Sequence, residues 1–140
     1  MQLTATAIQL VAPEDNVIFS APSCSPRNGN IMYQNGSGIV MVRGATNQCY
    51  AKYRIYFGGN VAIPTDGTVG QIAFAVTLNG APLYNAVGMA YPAAVEQYHN
   101  IAMDTEISVP CGCCFSVAVM NIGEIDANIQ NANLIVERIG

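Results

Sequence analysis

The residues best suited to chemistry in this sequence are its one histidine, His99, and its five cysteines, Cys24, Cys49, Cys111, Cys113 and Cys114. A general base, or the activator of a nucleophile, needs a partner within hydrogen-bond reach. Glu96, Asp104 and Glu106 stand close to His99 in sequence, and a Cys113–His99 pair can be drawn. No Gly-x-Ser-x-Gly elbow accompanies them, so a solvated or interface histidine is the plainer reading. The run Cys111-Gly112-Cys113-Cys114 invites a metal. Zinc sites, however, use Cys-x-x-Cys pairs with a second pair elsewhere, and here only Cys24, Cys49 or His99 remain to complete a set. Cysteine as a small, reduced, buried hydrophobe accounts for these residues better. Their odd number argues against a fully paired framework. A Cys24–Cys49 disulfide is compatible with the sequence but not derivable from it. No catalytic residue, metal site or cofactor is expected.

The remaining motifs also have plain readings. Asp104-Thr105-Glu106 sets two carboxylates on one face of a strand. Calcium asks for several oxygens on a tight loop, so a solvated acidic face is expected. Gly58-Gly59, with Gly67 and Gly70 nearby, lacks the Lys-Ser/Thr ending and following helix of a phosphate loop. These glycines read as hairpin turns.

Composition sets the class. Hydrophobic residues make up 51% of the 140 residues and charged residues only 10%, against about 25% charged in ordinary soluble domains. Such a surface is dressed in uncharged polar side chains or covered by other subunits. The net charge is −4, and Arg27, Arg43, Lys52, Arg54 and Arg138 are scattered. No basic patch exists to neutralise phosphates, which argues against nucleic acid as a partner. No run of about 20 apolar residues is present, so no membrane insertion is expected. The start Met1-Gln2-Leu3-Thr4 lacks the positive region of a secretory signal. The length fits one domain spanning 1–140.

Period-two alternation dominates the chain. It is loose over Leu3–Leu10 and clean over Tyr50–Phe57, where Tyr53, Ile55 and Phe57 share one face and Lys52, Arg54 and Tyr56 the other. It returns at Ile72, Phe74, Val76 and Leu78, and at Phe115, Val117 and Val119. The stretch from Ala132 to Ile139 is apolar on both faces, with Leu134 and Val136 on one and Ile135 and Ile139 on the other. Asn28-Gly29, Asn35-Gly36, Asn79-Gly80 and Asp66-Gly67 supply turns. Helical period is confined to a turn or so in Pro92–His99. About eight to ten short strands in a sandwich or small barrel follow. In a two-sheet sandwich one face of each sheet meets solvent. The outward face of the last strand therefore calls for a cover, most simply a second copy of the chain.

The order of short β motifs then matters. Tyr53-Arg54-Ile55-Tyr56-Phe57 leads to Asn60-Val61-Ala62-Ile63-Pro64 and Gly70-Gln71-Ile72-Ala73-Phe74-Ala75-Val76. Leu78-Asn79-Gly80-Ala81-Pro82-Leu83, Ile107-Ser108-Val109-Pro110-Cys111-Gly112 and Asn133-Leu134-Ile135-Val136-Glu137-Arg138-Ile139 follow. This order resembles the tumour-necrosis-factor-like (TNF-like) and complement-globular-head superfamily. It is similar above all to the bacterial and phage branch, which includes the C-terminal domain of the spore-surface collagen-like glycoprotein. The resemblance covers roughly the last 90 residues well and the first 50 only by strand count.

It implies an all-β, ten-stranded jelly-roll sandwich assembling as a homotrimer, with binding or structural work and no catalysis. Two departures stand out: no Gly-X-Y stalk precedes the domain, and Cys111–Cys114 lies where relatives carry small or polar residues. The missing stalk and signal point to a phage or prophage virion component, made in the bacterial cytoplasm and released by lysis. Its partners would be itself and a capsid or fibre protein. In such a setting Asn35-Gly36-Ser37, an N-glycosylation pattern, carries no meaning. The alternative is a receptor- or glycan-binding head on a bacterial cell or spore surface. Tyrosine suits interfaces. Tyr53 is expected in the core. Tyr50, Tyr56, Leu134, Ile135 and Ile139 are expected in the trimer interface. Tyr91 and Tyr98 are expected in a ligand-contacting loop, with Ala86–Ala93 and Gly123–Asn128 as the exposed loops of a binding head.

Overall fold

A computed structural model of the chain describes residues 2–19, 31–34, 37–44 and 49–139. Their strands are β1 (Gln2–Ala5), β2 (Gln9–Val11), β3 (Ile31–Gln34), β4 (Ile39–Arg43), β5 (Tyr50–Ala62), β6 (Ile72–Leu78), β7 (Ala81–Ala90), β8 (His99–Pro110), β9 (Cys114–Asn121) and β10 (Ala127–Arg138). They form two antiparallel sheets. The first runs β1-β10-β5-β8, with β2 also on β10; the second runs β3-β4-β9-β6-β7. Asn28-Gly29 and Asn35-Gly36, and with them Cys24 and Arg27, lie outside the described residues.

The loose alternation near the start reflects two short strands rather than one. β1 pairs with 132–135 and β2 with 127–129, in tandem along the same side of β10. The clean alternation of Tyr50–Phe57 survives in full: Tyr53, Ile55 and Phe57 are buried while Lys52 and Arg54 are exposed. Asn79 and Gly80, at φ 53° and 85°, turn β6 into β7. Both centres of a type I′ turn need that positive φ.

Two expectations are corrected. Gly58 and Gly59 are not a turn but lie within β5. Strand β10 bulges between Gln130 and Asn133 where it passes them. A Cβ on Gly59 would meet the Ala132 backbone and the Ile129 side chain at 3.4 Å. Pro92–His99 forms no helix; it is a loop with a turn at 95–96.

The inward faces interlock Tyr53, Ile55, Phe57, Leu134 and Val136 with Val40, Phe74, Val76, Val117 and Val119, all enclosed. Phe19 meets Phe57 edge-on at 6.2 Å. Tyr53 is the largest of them, and its hydroxyl donates to the Arg43 carbonyl at 2.6 Å. Burial pushes its phenol above the ordinary 10.0, against the opposing pull of Arg138 and of that hydrogen bond. A raised folded-state pKa means stability that is complete below the ordinary value and lost as pH climbs through the raised one. Urea midpoints are thus expected to hold to about pH 10 and fall beyond it. Tyr53→Phe is expected to cost about 1 kcal/mol at neutral pH and to flatten part of the alkaline fall. An unchanged alkaline limb in that variant would assign the loss to other groups.

Candidate functional site

The outward face of the first sheet is where the sequence-selected residues converge. Strand parity places Tyr50, Lys52, Arg54 and Tyr56 of β5 on it, with Ile135 and Glu137 of β10 and Asp104 and Glu106 of β8. Across the ladders, Tyr56 faces Ile135 on one side and Asp104 on the other. Arg54 likewise faces Glu137 and Glu106. Directly opposed side chains in a sheet lie in contact range.

Tyr56 does not stand up into solvent. A Cβ on Gly58 would come within 3.0 Å of the Tyr56 hydroxyl and 3.4 Å of its ring. The ring therefore lies back along β5 over the space that glycine leaves, and is half-buried. Tyr56, Ile135, Arg54 and Glu137 line a shallow depression of about 250 Å³.

Charge frames this apolar pair. The Arg54 guanidinium donates from Nε to Asp104 Oδ1 at 3.1 Å and from Nη2 to Oδ2 at 2.7 Å. Its Nη1 lies 3.7 Å from Glu137 Oε1. The Arg54 hydrogen bonds hold the Asp104 carboxyl below its ordinary range. All three side chains are about half exposed, so solvent screens the pairs and their stabilising effect on one chain is small. The expected acidic face is thus a mixed-charge cluster built around one arginine.

Four of the five residues expected in an interface share this face. Tyr50 is 57% exposed at the start of β5, and Ile139 is 45% exposed just past β10, its N–H donating to the Lys52 carbonyl at 2.8 Å. Leu134 does not join them. It is 0% exposed within its own chain, because the strand turns alternate side chains to opposite faces. Its place is the core, and it is removed from the interface set.

Tyr91 and Tyr98 are both exposed, at the two ends of the loop that joins β7 to β8. That loop is tied down at Glu96, whose N–H donates to the Ile63 carbonyl at 2.9 Å and whose carboxylate accepts from the Thr65 hydroxyl. The loop expected over Ala86–Ala93 is shorter, since Ala86–Ala90 belong to β7. Tyr84, 82% exposed, and Met89 extend the exposed apolar surface along that edge strand. Sequence reasoning did not single them out for a role. Edge position, which follows from topology rather than local pattern, is the missing signal.

The residues suited to chemistry are dispersed. His99 opens β8 and Cys111 follows its end, a separation of roughly 35 Å at strand rise. A Cys113–His99 pair is ruled out by that distance. Cys49, Cys111, Cys113 and Cys114 are exposed rather than buried hydrophobes. Among the described residues, no three of His, Cys, Asp and Glu come together in a way that could hold a metal ion. No helix of the described residues is long and apolar enough to cross a membrane.

No family model matches the sequence, and no curated protein matches it significantly. Solved structures do match. The Eiger TNF of S. frugiperda aligns over 100% of this chain and 92% of its own, at 11% identity and a TM-score of 0.69. The globular domain of the zebrafish complement 1qA protein aligns over 96% of this chain and 93% of its own, at 8% identity and a TM-score of 0.61. With two antiparallel sheets and these neighbours, the chain has the TNF-like jelly-roll fold, and the architecture implied by its sequence motifs stands at that level.

Proposed function

We propose that this is a non-enzymatic structural protein that assembles as a homotrimer through the outward face of the first sheet. Its setting is the virion of a phage or prophage, as a capsid decoration or head-fibre component, made in the bacterial cytoplasm and released by lysis. The observation that carries self-assembly is the Tyr56–Ile135 pair, an apolar contact on the outward side of a sheet in a chain with only 10% charged residues. Covering such a patch removes apolar area from water. A second copy of the chain is always present to cover it. Around the pair, Arg54, Asp104 and Glu137 give the contact polarity and so set orientation more than strength. The threefold state and the virion setting rest on the sequence resemblance.

The test has two stages. Light scattering on the purified chain is expected to give three times its 14.8 kDa mass. Sedimentation with purified capsids is then expected to carry the trimer down at stoichiometric ratio. A chain that stays monomeric at all concentrations sinks the assembly reading. A trimer that never sediments with capsids or fibres sinks the virion reading alone.

The exposed Tyr84, Met89, Tyr91 and Tyr98 favour a second reading, a receptor- or glycan-binding head on a surface fibre, at a bacterial cell or spore. Exposed aromatic rings offer flat amphipathic surfaces to a ligand. Glycan-array binding abolished by Tyr91→Ala and Tyr98→Ala would support it; an array blank for the wild-type trimer would remove it.

A further inference from the structure

Cys49 immediately precedes β5 and Cys111 immediately follows β8, and these two strands are antiparallel neighbours. Their register pairs Ala51 with Val109 and Tyr50 with Pro110. One step further places Cys49 opposite Cys111. The pairing reaches that step through one bond, the Cys111 N–H donating to the Cys49 carbonyl at 3.0 Å, just beyond the strand ends at Tyr50 and Pro110. Facing residues in a ladder project to the same side. Facing Cα atoms in a hydrogen-bonded antiparallel pair lie about 5.5 Å apart, inside the range of roughly 4.4–6.8 Å that a disulfide spans. The Cβ atoms must still approach by about 1 Å. Cys111 can supply that movement, since it stands at a corner rather than inside a strand. Pro110 to Cys113 is a turn closed by the Cys113 N–H on the Pro110 carbonyl at 3.0 Å, with Gly112 at φ 78°. Both cysteines are exposed, so a small reagent reaches them.

We propose that Cys49 and Cys111 are a cross-strand dithiol that closes to a disulfide by exchange with a low-molecular-weight disulfide. The thiolate of one attacks the reagent, forming a mixed disulfide and expelling one reagent thiolate. The second cysteine, as its thiolate, attacks the mixed disulfide at the protein sulfur and expels the other. The reagent disulfide is reduced to two thiols, which take up the two protons the cysteines give, and the cysteines are oxidised to one bond. That bond staples the start of β5 to the end of β8 across a long stretch of chain, and a loop of this length gains most from closure. Cys113 and Cys114, exposed as well, lie instead on the pairing with β4, where the Cys113 carbonyl accepts from the Gly44 N–H and Cys114 faces Arg43; neither stands opposite Cys49.

The test exposes the full chain to oxidised glutathione, blocks remaining thiols, and maps the linkages by mass spectrometry of a non-reduced digest. An intramolecular Cys49–Cys111 peptide is expected, with a melting temperature about 5–15 °C above that of the reduced chain. C49S and C111S should each lose both the peptide and the shift. A Cys113→Ser, Cys114→Ser double variant should keep both. Linkage of Cys49 to Cys24, linkage of Cys111 to Cys113 or Cys114, a link only between chains, or a Cys49 recovered fully blocked after oxidation would each overturn the assignment.

Discussion

Ile135→Asp is expected to yield a folded chain that no longer assembles. The side chain is half-buried on the outward face, packed beside Tyr56 and above nothing in its own core. A carboxylate there is solvated in the lone chain and costs it little. In an assembly it would be buried beside the Glu137 carboxylate, with only Arg54, already engaged by Asp104, within reach, at a cost of several kcal/mol. About 4 kcal/mol corresponds to roughly a thousandfold in association. Circular dichroism should be unchanged while light scattering falls to the mass of one chain. Leu134→Asp, one residue earlier, is expected to fail differently. It places the charge among enclosed aliphatic and aromatic groups and should give unfolded, insoluble protein. Persistence of the assembly in Ile135→Asp, with unaltered melting, would move the interface elsewhere.

Asn121→Leu is expected to be among the most destabilising single changes that keep side-chain volume. Asn121 ends β9 and is fully buried. Its amide nitrogen donates at 3.0 Å to the Val11 carbonyl of β2 and at 3.0 Å to the Ile125 carbonyl. Its oxygen accepts from the Gly123 N–H at 2.9 Å. One side chain thus fastens the first segment, the end of β9 and the loop into β10. Leucine fills the space but removes all three of these hydrogen bonds, one to a buried carbonyl and two to part-buried groups. Each buried, unsatisfied polar group costs about 1–3 kcal/mol; with some relaxation the sum is about 3–4 kcal/mol, or a fall of roughly 10–15 °C in melting temperature. Asn121→Asp keeps only the acceptor for Gly123 and sets a carboxylate against two carbonyls, so it should fall at least as far at neutral pH. A loss below about 1 kcal/mol in Asn121→Leu would mean that water replaces the amide.

These two residues also show what the sequence made legible. Ile135 could be read from its alternation with Leu134 and Val136, because a period of two sorts a strand into two faces. The sorting alone does not say which face is inward, which is why Leu134 joined the interface set by mistake. Asn79-Gly80 was readable because positive φ at two successive residues has few solutions. Gly58-Gly59 was misread because the same residue type serves a turn and a strand interior, here beside the Tyr56 ring and a bulge of β10 that comes some 70 residues later. Asn121 carries no signal in the sequence around it. Its role arises from carbonyls 110 residues earlier and four later, a relation no local pattern encodes. Arg54 and its carboxylates were likewise scattered charges until the register of β5 between β8 and β10 set them side by side.

The tandem seating of β1 and β2 on β10 has a consequence for how the protein is made. Gln2 pairs with Ile135 and Val11 with Ala127, so the segments a ribosome delivers early have no ladder to join until β10 emerges. Until then the apolar side chains of Leu3 and Val11 are without their pocket, and β5 lacks one of its two neighbours. Contacts of such long span are slow to form and leave incomplete chains prone to aggregation. The first sheet can therefore close only after β10 has been released from synthesis, and assembly through its outward face must wait for that moment.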